Sequence, residues 1–229
     1  MTVIAFDADD TLWVNEPHFQ AVEQQFCKML EEFIPAHTVA RELFATELQN
    51  MPLYGFGAKA FMLSMVETAI RISDGRIPSN SLLRVLDLGR SLLEHSIELL
   101  PGVVEVLENL QPRYRLVVAT KGDLLDQERK LRRSGLEKYF HHIEVMSDKQ
   151  EADFDRLIRH LDISPSEFWM IGNSLKSDIL PVLALGGNAI HIPFHTTWAY
   201  EKIDAQVDHP RFRTVDSILE VLNVLPDHG

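Results

Sequence analysis

The sequence predicts an α/β protein: a parallel sheet covered by helices, with an all-helical domain inserted between its first and second strands. Three observations predict it. Val3–Phe6 is an apolar run that ends abruptly in Asp7, Asp9 and Asp10, the pattern of a buried parallel strand with polar groups at its carboxyl end. Residues 15–97 carry only helical apolar spacing,. From residue 98 onward, helical stretches alternate with short apolar runs, the pattern of repeated βαβ units. The expected division is 1–14 with 98–229 as the sheet core and 15–97 as the helical insert.

Composition narrows the class. At 229 residues, 45% of them hydrophobic, the chain can bury a substantial core,. Cys27 is the only cysteine, which excludes an internal disulfide and a thiolate-rich zinc site. A net charge of −12 argues against nucleic acid as a general partner,. It does not argue against a small anion in a local basic pocket. No apolar run approaches the ~18 residues of a membrane span, and no charged-then-apolar leader precedes the first strand. The expected location is cytoplasmic, with no membrane partner; monomer and homodimer both stay open.

Taken in order, Phe19, Val22, Phe26, Met29 and Phe33 give one helix, ended by Pro35,. Thr38 is the expected cap of a second helix carrying Val39, Leu43, Phe44 and Leu48,. Residues 52–57, Pro-Leu-Tyr-Gly-Phe-Gly, read as a loop,. A third helix runs through Phe61, Met65, Ala69 and Ile72 to Asp74-Gly75, and Ser79 or Ser81 is expected to cap a fourth. The Phe and Met stripes of this insert read as core. Beyond Leu99-Leu100-Pro101-Gly102 come a short helix at 103–110 and a strand at 116–119, followed by Thr120-Lys121-Gly122-Asp123. A helix at 124–134, closed by Gly135, leads to a strand at 143–146 and then Ser147-Asp148-Lys149. The series continues with a helix at 152–161, a strand at 168–171, Gly172-Asn173, and a helix through Asp178 to about 185. A strand at 189–192 and a last helix capped by Ser217 complete it.

Asp7, Thr120, Lys149, Asn173 and Asp178 follow four different strands. Parallel strands joined by helical crossovers put all their carboxyl ends on one edge, so these residues converge although distant in sequence. Residues 7–11, Asp-Ala-Asp-Asp-Thr, with Thr120, Lys149 and Gly172-Asn173-x-x-x-x-Asp178, resemble in order the four motifs of the haloacid dehalogenase-like superfamily. The resemblance covers essentially the whole chain and implies a Rossmann-like core with a helical cap after the first motif. One departure stands out: Asn173 occupies a position where the family usually has Asp.

The residues fit phosphoryl transfer, which asks mostly for positioning and charge neutralisation. Asp7 can act as a carboxylate nucleophile and form an aspartyl-phosphate. Asp9 can protonate the leaving oxygen and later take a proton from water. Thr120 offers a hydroxyl and an N–H to phosphoryl oxygens, and Lys149 a positive charge. The resemblance implies Mg²⁺ held by the Asp7 carboxylate, the Asp9 backbone carbonyl and the fourth motif, with Asn173 and Asp178 both open as the direct ligand. The expected activity is a Mg²⁺-dependent phosphatase acting on a small phosphorylated metabolite.

Other readings accompany it. A 2-haloacid dehalogenase of this superfamily has no acid at the position of Asp9, because halide leaves without a proton. A phosphomutase uses the same four motifs, and a non-catalytic binding module keeps the fold and loses turnover. Lys121 reads equally as a phosphate ligand or a solvated lysine, and Lys59, after the glycines of the 54–59 loop, as a substrate contact or a surface residue. Asp10 and Thr11 read as turn caps, Asp123 as a helix cap, and His18, His191 and His195 as surface or rim residues. Trp198 reads either as the edge of the site or as packing.

Overall fold

The computed structural model describes residues 2–204 and 206–226. Met1, Ala205 and the final three residues of the expected core, 227–229, lie outside the described ones. The chain divides into two compact units, Met1–Glu16 with Ile97–Gly229, and Pro17–Ser96.

The first unit is built on a parallel sheet in the order β3-β2-β1-β4-β5-β6. Its strands are β1 (Val3–Phe6), β2 (Arg115–Lys121), β3 (His142–Met146), β4 (Phe168–Gly172), β5 (Asn188–His191) and β6 (Phe212–Thr214). β1 is central because every one of its side chains has an apolar destination. Ile4 and Phe6 point to one face, with Leu116, Val118 and the short helix Val103–Leu110. Val3 and Ala5 point to the other, with Val117, Ala119 and the helix Glu151–His160, from which Phe154, Leu157 and Ile158 project. All four β1 residues are fully buried, and each large one contributes roughly 1.5–3 kcal/mol by leaving water. The sheet order changes direction between β1 and β4, which is where open α/β sheets bind ligands.

The second unit is all-helical: α1 (Glu16–Met29, beginning in the first unit), α2 (Ala36–Tyr54), α3 (Ala58–Ile72) and α4 (Ser79–Glu94). Phe26, Leu30, Val39, Leu43, Met65, Ala69, Val85 and Leu92 form its core, as the apolar spacing predicts. Polar groups between α2 and α3 are paired: Thr68 Oγ1 donates to Thr46 Oγ1 at 2.9 Å and Asn50 Nδ2 to Ser64 Oγ at 3.2 Å.

Several boundaries differ from expectation for local reasons. α1 ends at Met29, before Pro35. Thr38 does not cap α2, because the Pro35 carbonyl already accepts from Thr38 N and Val39 N at 2.8 and 3.1 Å and the helix starts at Ala36. Neither Ser79 nor Ser81 caps α4: Pro78 plays the same part, accepting from Ser81 N and Leu82 N at 2.9 and 3.2 Å. Pro52 lies inside the last turn of α2, which runs on to Tyr54, so the loop shrinks to Gly55–Gly57. Ser217 precedes a short 3-10 turn at Ile218–Glu220 and makes no side-chain cap, and the last helix is Val221–Val224. β6, three residues long, has no apolar run to announce it.

The helix after β2, α6 in the series that numbers Val103–Leu110 as α5, spans Leu124–Ser134. Asp123 caps it through an acceptor bond from Asp126 N at 3.1 Å, and Gly135 ends it in the left-handed region. Asp123→Ala is expected to lower the stability of the chain by about 1 kcal/mol, read from the urea midpoint at unchanged slope; no change would mean that the capping bond contributes nothing.

Candidate active site

The first motif turns sharply after β1. Asp7 N donates to Ile171 O at 2.8 Å, which extends the β1–β4 pairing one residue beyond the strand. Leu12 N then closes on Ala8 O at 2.8 Å, with Asp10 at φ 62°, a backbone region that Asp tolerates better than most residues,. The Asp10 carboxylate accepts from Asn15 N at 2.8 Å and Glu16 N at 3.0 Å, so it caps the start of α1 and is structural. Thr11 is more than a cap. Its Oγ1 donates to Asp7 Oδ2 at 3.2 Å and lies 3.3 Å from Asn173 Oδ1, bringing those two oxygens around one hydroxyl.

Lys149 joins three motifs. It follows β3 and precedes the helix Glu151–His160, whose start is fixed by Gln150 N donating to Asp153 Oδ2 at 3.1 Å. Its ammonium donates to Asp7 Oδ1 at 2.5 Å and Asp178 Oδ1 at 2.6 Å. Lys149 and Asp178 are 2% and 1% exposed, so water screens this contact little. Asp178 Oδ2 accepts from Ser174 N at 2.9 Å. Burial raises the Asp7 carboxyl above the ordinary carboxylate range against the pull of Lys149, and the Asp178 charge adds to the rise. Burial alone would lower Lys149, but the two carboxylates outweigh it and hold the amine charged.

Asp178 is set by the segment after β4, which begins as a wide turn at Leu175–Ile179, with Leu180 N–H reaching Leu175 O, before the helix Leu180–Ala184. Such wide turns are frequent at functional sites. Gly172 makes the fit possible, since a Cβ there would lie 2.2 Å from Asp178 Oδ2. His191, the last residue of β5, has Nε2 3.0 Å from Asn173 O; burial keeps its pKa low, so the neutral ring donates that bond.

Asp9 is held by donors alone. Trp13 Nε1 donates to its Oδ1 at 2.7 Å, Lys130 Nζ to Oδ1 at 3.0 Å and Gln127 Nε2 to Oδ2 at 2.8 Å. Burial pushes the Asp9 pKa up, but the Lys130 charge and these hydrogen bonds outweigh it and hold the carboxyl below its ordinary value.

Thr120 and Lys121 lie within β2 rather than after it. Thr120 is buried, with Gln127 Nε2 at 3.4 Å from its hydroxyl. The Lys121 ammonium donates to Ser177 Oγ at 2.9 Å and pairs with Glu201 at 2.5 Å. Glu201 also accepts from Ser174 and Ser177, at 2.5 and 2.6 Å. Lys59 belongs to the other unit, in the first turn of α3. The His195 ring lies tilted against Phe194 at 4.2 Å and Trp198 against Tyr200 at 5.0 Å, in the segment after β5 that carries Glu201.

Asp7, Asp9, Thr120, Lys121, Lys149, Asn173 and Asp178 thus sit at one edge of the sheet, linked by the bonds above. Gln127, Lys130 and Glu201 were not foreseen. The signal for the first two was available: α6 is a sheet-covering helix with polar residues at 126, 127 and 130, while Leu124 and Leu125 are exposed. Nothing in the irregular stretch 192–211 singles out Glu201. Oxygen donors prevail near Asp7, a set that suits a hard cation such as Mg²⁺. Among the described residues no three His, Cys, Asp or Glu side chains form a ready metal cluster; an amide and a backbone carbonyl would have to complete the set.

The sequence profile of the haloacid dehalogenase-like hydrolases matches residues 1–186. The chain belongs to that family. A haloacid dehalogenase-like hydrolase from Xanthomonas campestris is 36% identical, with a TM-score of 0.87 over 96% of this chain and 88% of that one. The Bacillus subtilis protein YfnB, described as a HAD-hydrolase bound to magnesium, is 18% identical, with a TM-score of 0.66 over 97% of each chain. A 2-haloacid dehalogenase from Pseudomonas syringae is 19% identical, with a TM-score of 0.67 over 98% of this chain and 97% of that one. The last two share the fold. Among curated proteins, none shows significant similarity to this chain. Among the described residues no helix is long and apolar enough to cross a membrane.

Removing Lys149 would leave two buried carboxylates facing one another. Lys149→Met is expected to destabilise the metal-free chain by about 3–5 kcal/mol, read by urea unfolding. A loss below about 1 kcal/mol, the worth of an exposed pair, would show that the carboxylates are solvated instead.

Proposed function

We propose that the chain is a Mg²⁺-dependent phosphatase of small phosphorylated metabolites, with Asp7 as nucleophile and Asp9 as general acid and base. The observation that carries the reading is the second carboxylate, Asp9, two residues after Asp7 and fixed by hydrogen bonds from Trp13, Gln127 and Lys130. Displacing halide needs no such group, whereas expelling an alkoxide from phosphorus does.

In this reading, Asp9, ionised in the free chain, takes up a proton as the anionic ester binds; Asp7 then attacks phosphorus while the bond to the leaving oxygen breaks and Asp9 gives that oxygen its proton. Water then attacks the aspartyl-phosphate, the Asp7–phosphorus bond breaks, and Asp9 takes the proton back. Lys149 screens Asp7 from the anionic phosphoryl group. Thr120, one residue from the end of β2, offers its hydroxyl and N–H to the phosphoryl oxygens, and Lys121 supports the same edge once Glu201 releases it. Lys59, in the first turn of α3, is proposed as a substrate-binding residue.

The charge count supports a cation. Asp7 and Asp178 in their ionised forms exceed Lys149 by one negative charge in a buried place, and Thr11 gathers the Asp7 and Asn173 oxygens. Asp7, Asn173, Asp178 and the Asp9 carbonyl would hold Mg²⁺, which when bound neutralises phosphoryl charge.

With 4-nitrophenyl phosphate, turnover is expected to need Mg²⁺, to stop in excess EDTA and to vanish in Asp7→Asn. Release of chloride from 2-chloropropionate, without phosphate hydrolysis, would reverse the reading.

Asn173 brings an oxygen without a charge, and ligand charge sets much of divalent-cation affinity. Asn173→Asp is therefore expected to lower the Mg²⁺ concentration for half-maximal turnover and to tighten Mg²⁺ binding in calorimetry at the same pH. Weaker binding in the variant would place residue 173 away from the metal.

A further inference from the structure

The helix α6 buries residues that a covering helix normally exposes. Leu124 and Leu125 are 58% and 61% exposed, while Asp126, Gln127 and Lys130 are buried. Lysine is almost never fully buried unless paired. Lys130 Nζ donates to Asp9 Oδ1 at 3.0 Å and to Asn15 Oδ1 at 2.9 Å, with Asp126 Oδ2 at 3.8 Å. One turn earlier, Gln127 Nε2 donates to Asp9 Oδ2 at 2.8 Å and to Lys121 O at 2.8 Å. Trp13 Nε1 supplies the third donor to Asp9. An ionised carboxylate offers about four lone-pair sites, and three are engaged here from different parts of the unit, so the carboxylate has one orientation.

Stability alone does not account for this arrangement. A buried ion pair is often no more stable than apolar residues of the same size. The backbone N–H groups at the start of α1 are already capped by Asp10. What three converging donors achieve is one fixed position for the Asp9 carboxyl group, next to the amide that also lies 3.4 Å from the Thr120 hydroxyl.

We infer that Lys130 and Gln127 are positioning residues that hold the Asp9 carboxyl group where it serves both proton transfers, an inference that rests on the phosphatase reading for the role of Asp9. Their donors are engaged within the protein. Gln127 has Lys121 O as a second acceptor, so its amide stays hydrogen-bonded when the Asp9 oxygen it serves carries the proton. Lys130, anchored between Asp9, Asn15 and Asp126, keeps the group in place through both half-reactions.

The test has a spectroscopic arm and a kinetic arm. Trp13 is one of three tryptophans, and its indole N–H resonance in a nitrogen-15 spectrum reports the bond to Asp9 without any need for activity. In Lys130→Met and in Gln127→Met this resonance is expected to move, and in Lys130→Arg to stay near its native position. In the first turnover with Mg²⁺, each Met variant is expected to lose about 10- to 100-fold more rate on glycerol 2-phosphate than on 4-nitrophenyl phosphate, a part of what a positioned acid contributes. KM should be nearly constant, and Lys130→Arg should recover most of the loss. Gln127→Met keeps the ion pair, so it carries the test if Lys130→Met fails to fold. An indole resonance unmoved in the Met variants, or equal losses on both esters, overturns the inference. If the resonance moves as expected but the native chain hydrolyses neither ester, the phosphatase reading falls while the placement of Asp9 by these residues stands.

Discussion

Lys149 sets one positive charge between Asp7 and Asp178, in contact with both and nearly closed to water. Desolvating three charged groups costs several kcal/mol for each, and only close contact offsets it. The surrounding structure is arranged to keep that contact. β1 delivers Asp7, the Gln150–Asp153 cap starts the helix that follows Lys149, and the missing side chain at Gly172 lets Asp178 approach the end of β4. Ser174 N–H and Thr11 Oγ1 occupy further oxygens of the two carboxylates.

A parallel sheet makes this economical. Its strands end on one edge, so each crossover returns the chain to the same place with a new side chain to contribute. Here the contributions fall on both sides of β1: Thr120 and Lys149 from β2 and β3, Asn173 and Asp178 after β4, and His191 from β5. A second layer supports the first. Lys130 and Gln127 brace Asp9, and Glu201 ties Lys121 to Ser174 and Ser177. Burial would raise the pKa of Glu201, but Lys121 and the hydroxyl donors outweigh it and keep it ionised.

Five of the six strands were legible because their signal is local, whereas β6 carries no apolar run. Four apolar residues followed by carboxylates read as a strand end without knowledge of any other part of the chain, and the helical insert declared itself through the spacing of Phe26, Val39, Leu43 and Met65. Helix starts were less legible where proline stands at the N-cap: the Pro35 and Pro78 carbonyls accept the first-turn N–H groups where Thr38, and Ser79 or Ser81, were expected to cap. Least legible were residues whose meaning depends on a distant partner. Lys130 is 121 positions from Asp9 and Glu201 is 80 from Lys121, and each looks like a surface charge until the fold brings the two together.

The central claim is that the charges at the strand ends are arranged around Asp7 as the atom that meets phosphorus. A crystal structure of the chain with Mg²⁺ and beryllium fluoride tests it most directly. The account predicts a fluoroberyllate bonded to an Asp7 carboxylate oxygen, with the Lys149 ammonium beside it and Mg²⁺ touching Asp7 and residue 173 or 178. An adduct on Asp9 or another residue, or none at saturating reagent with Lys149 still bridging Asp7 and Asp178, would contradict it.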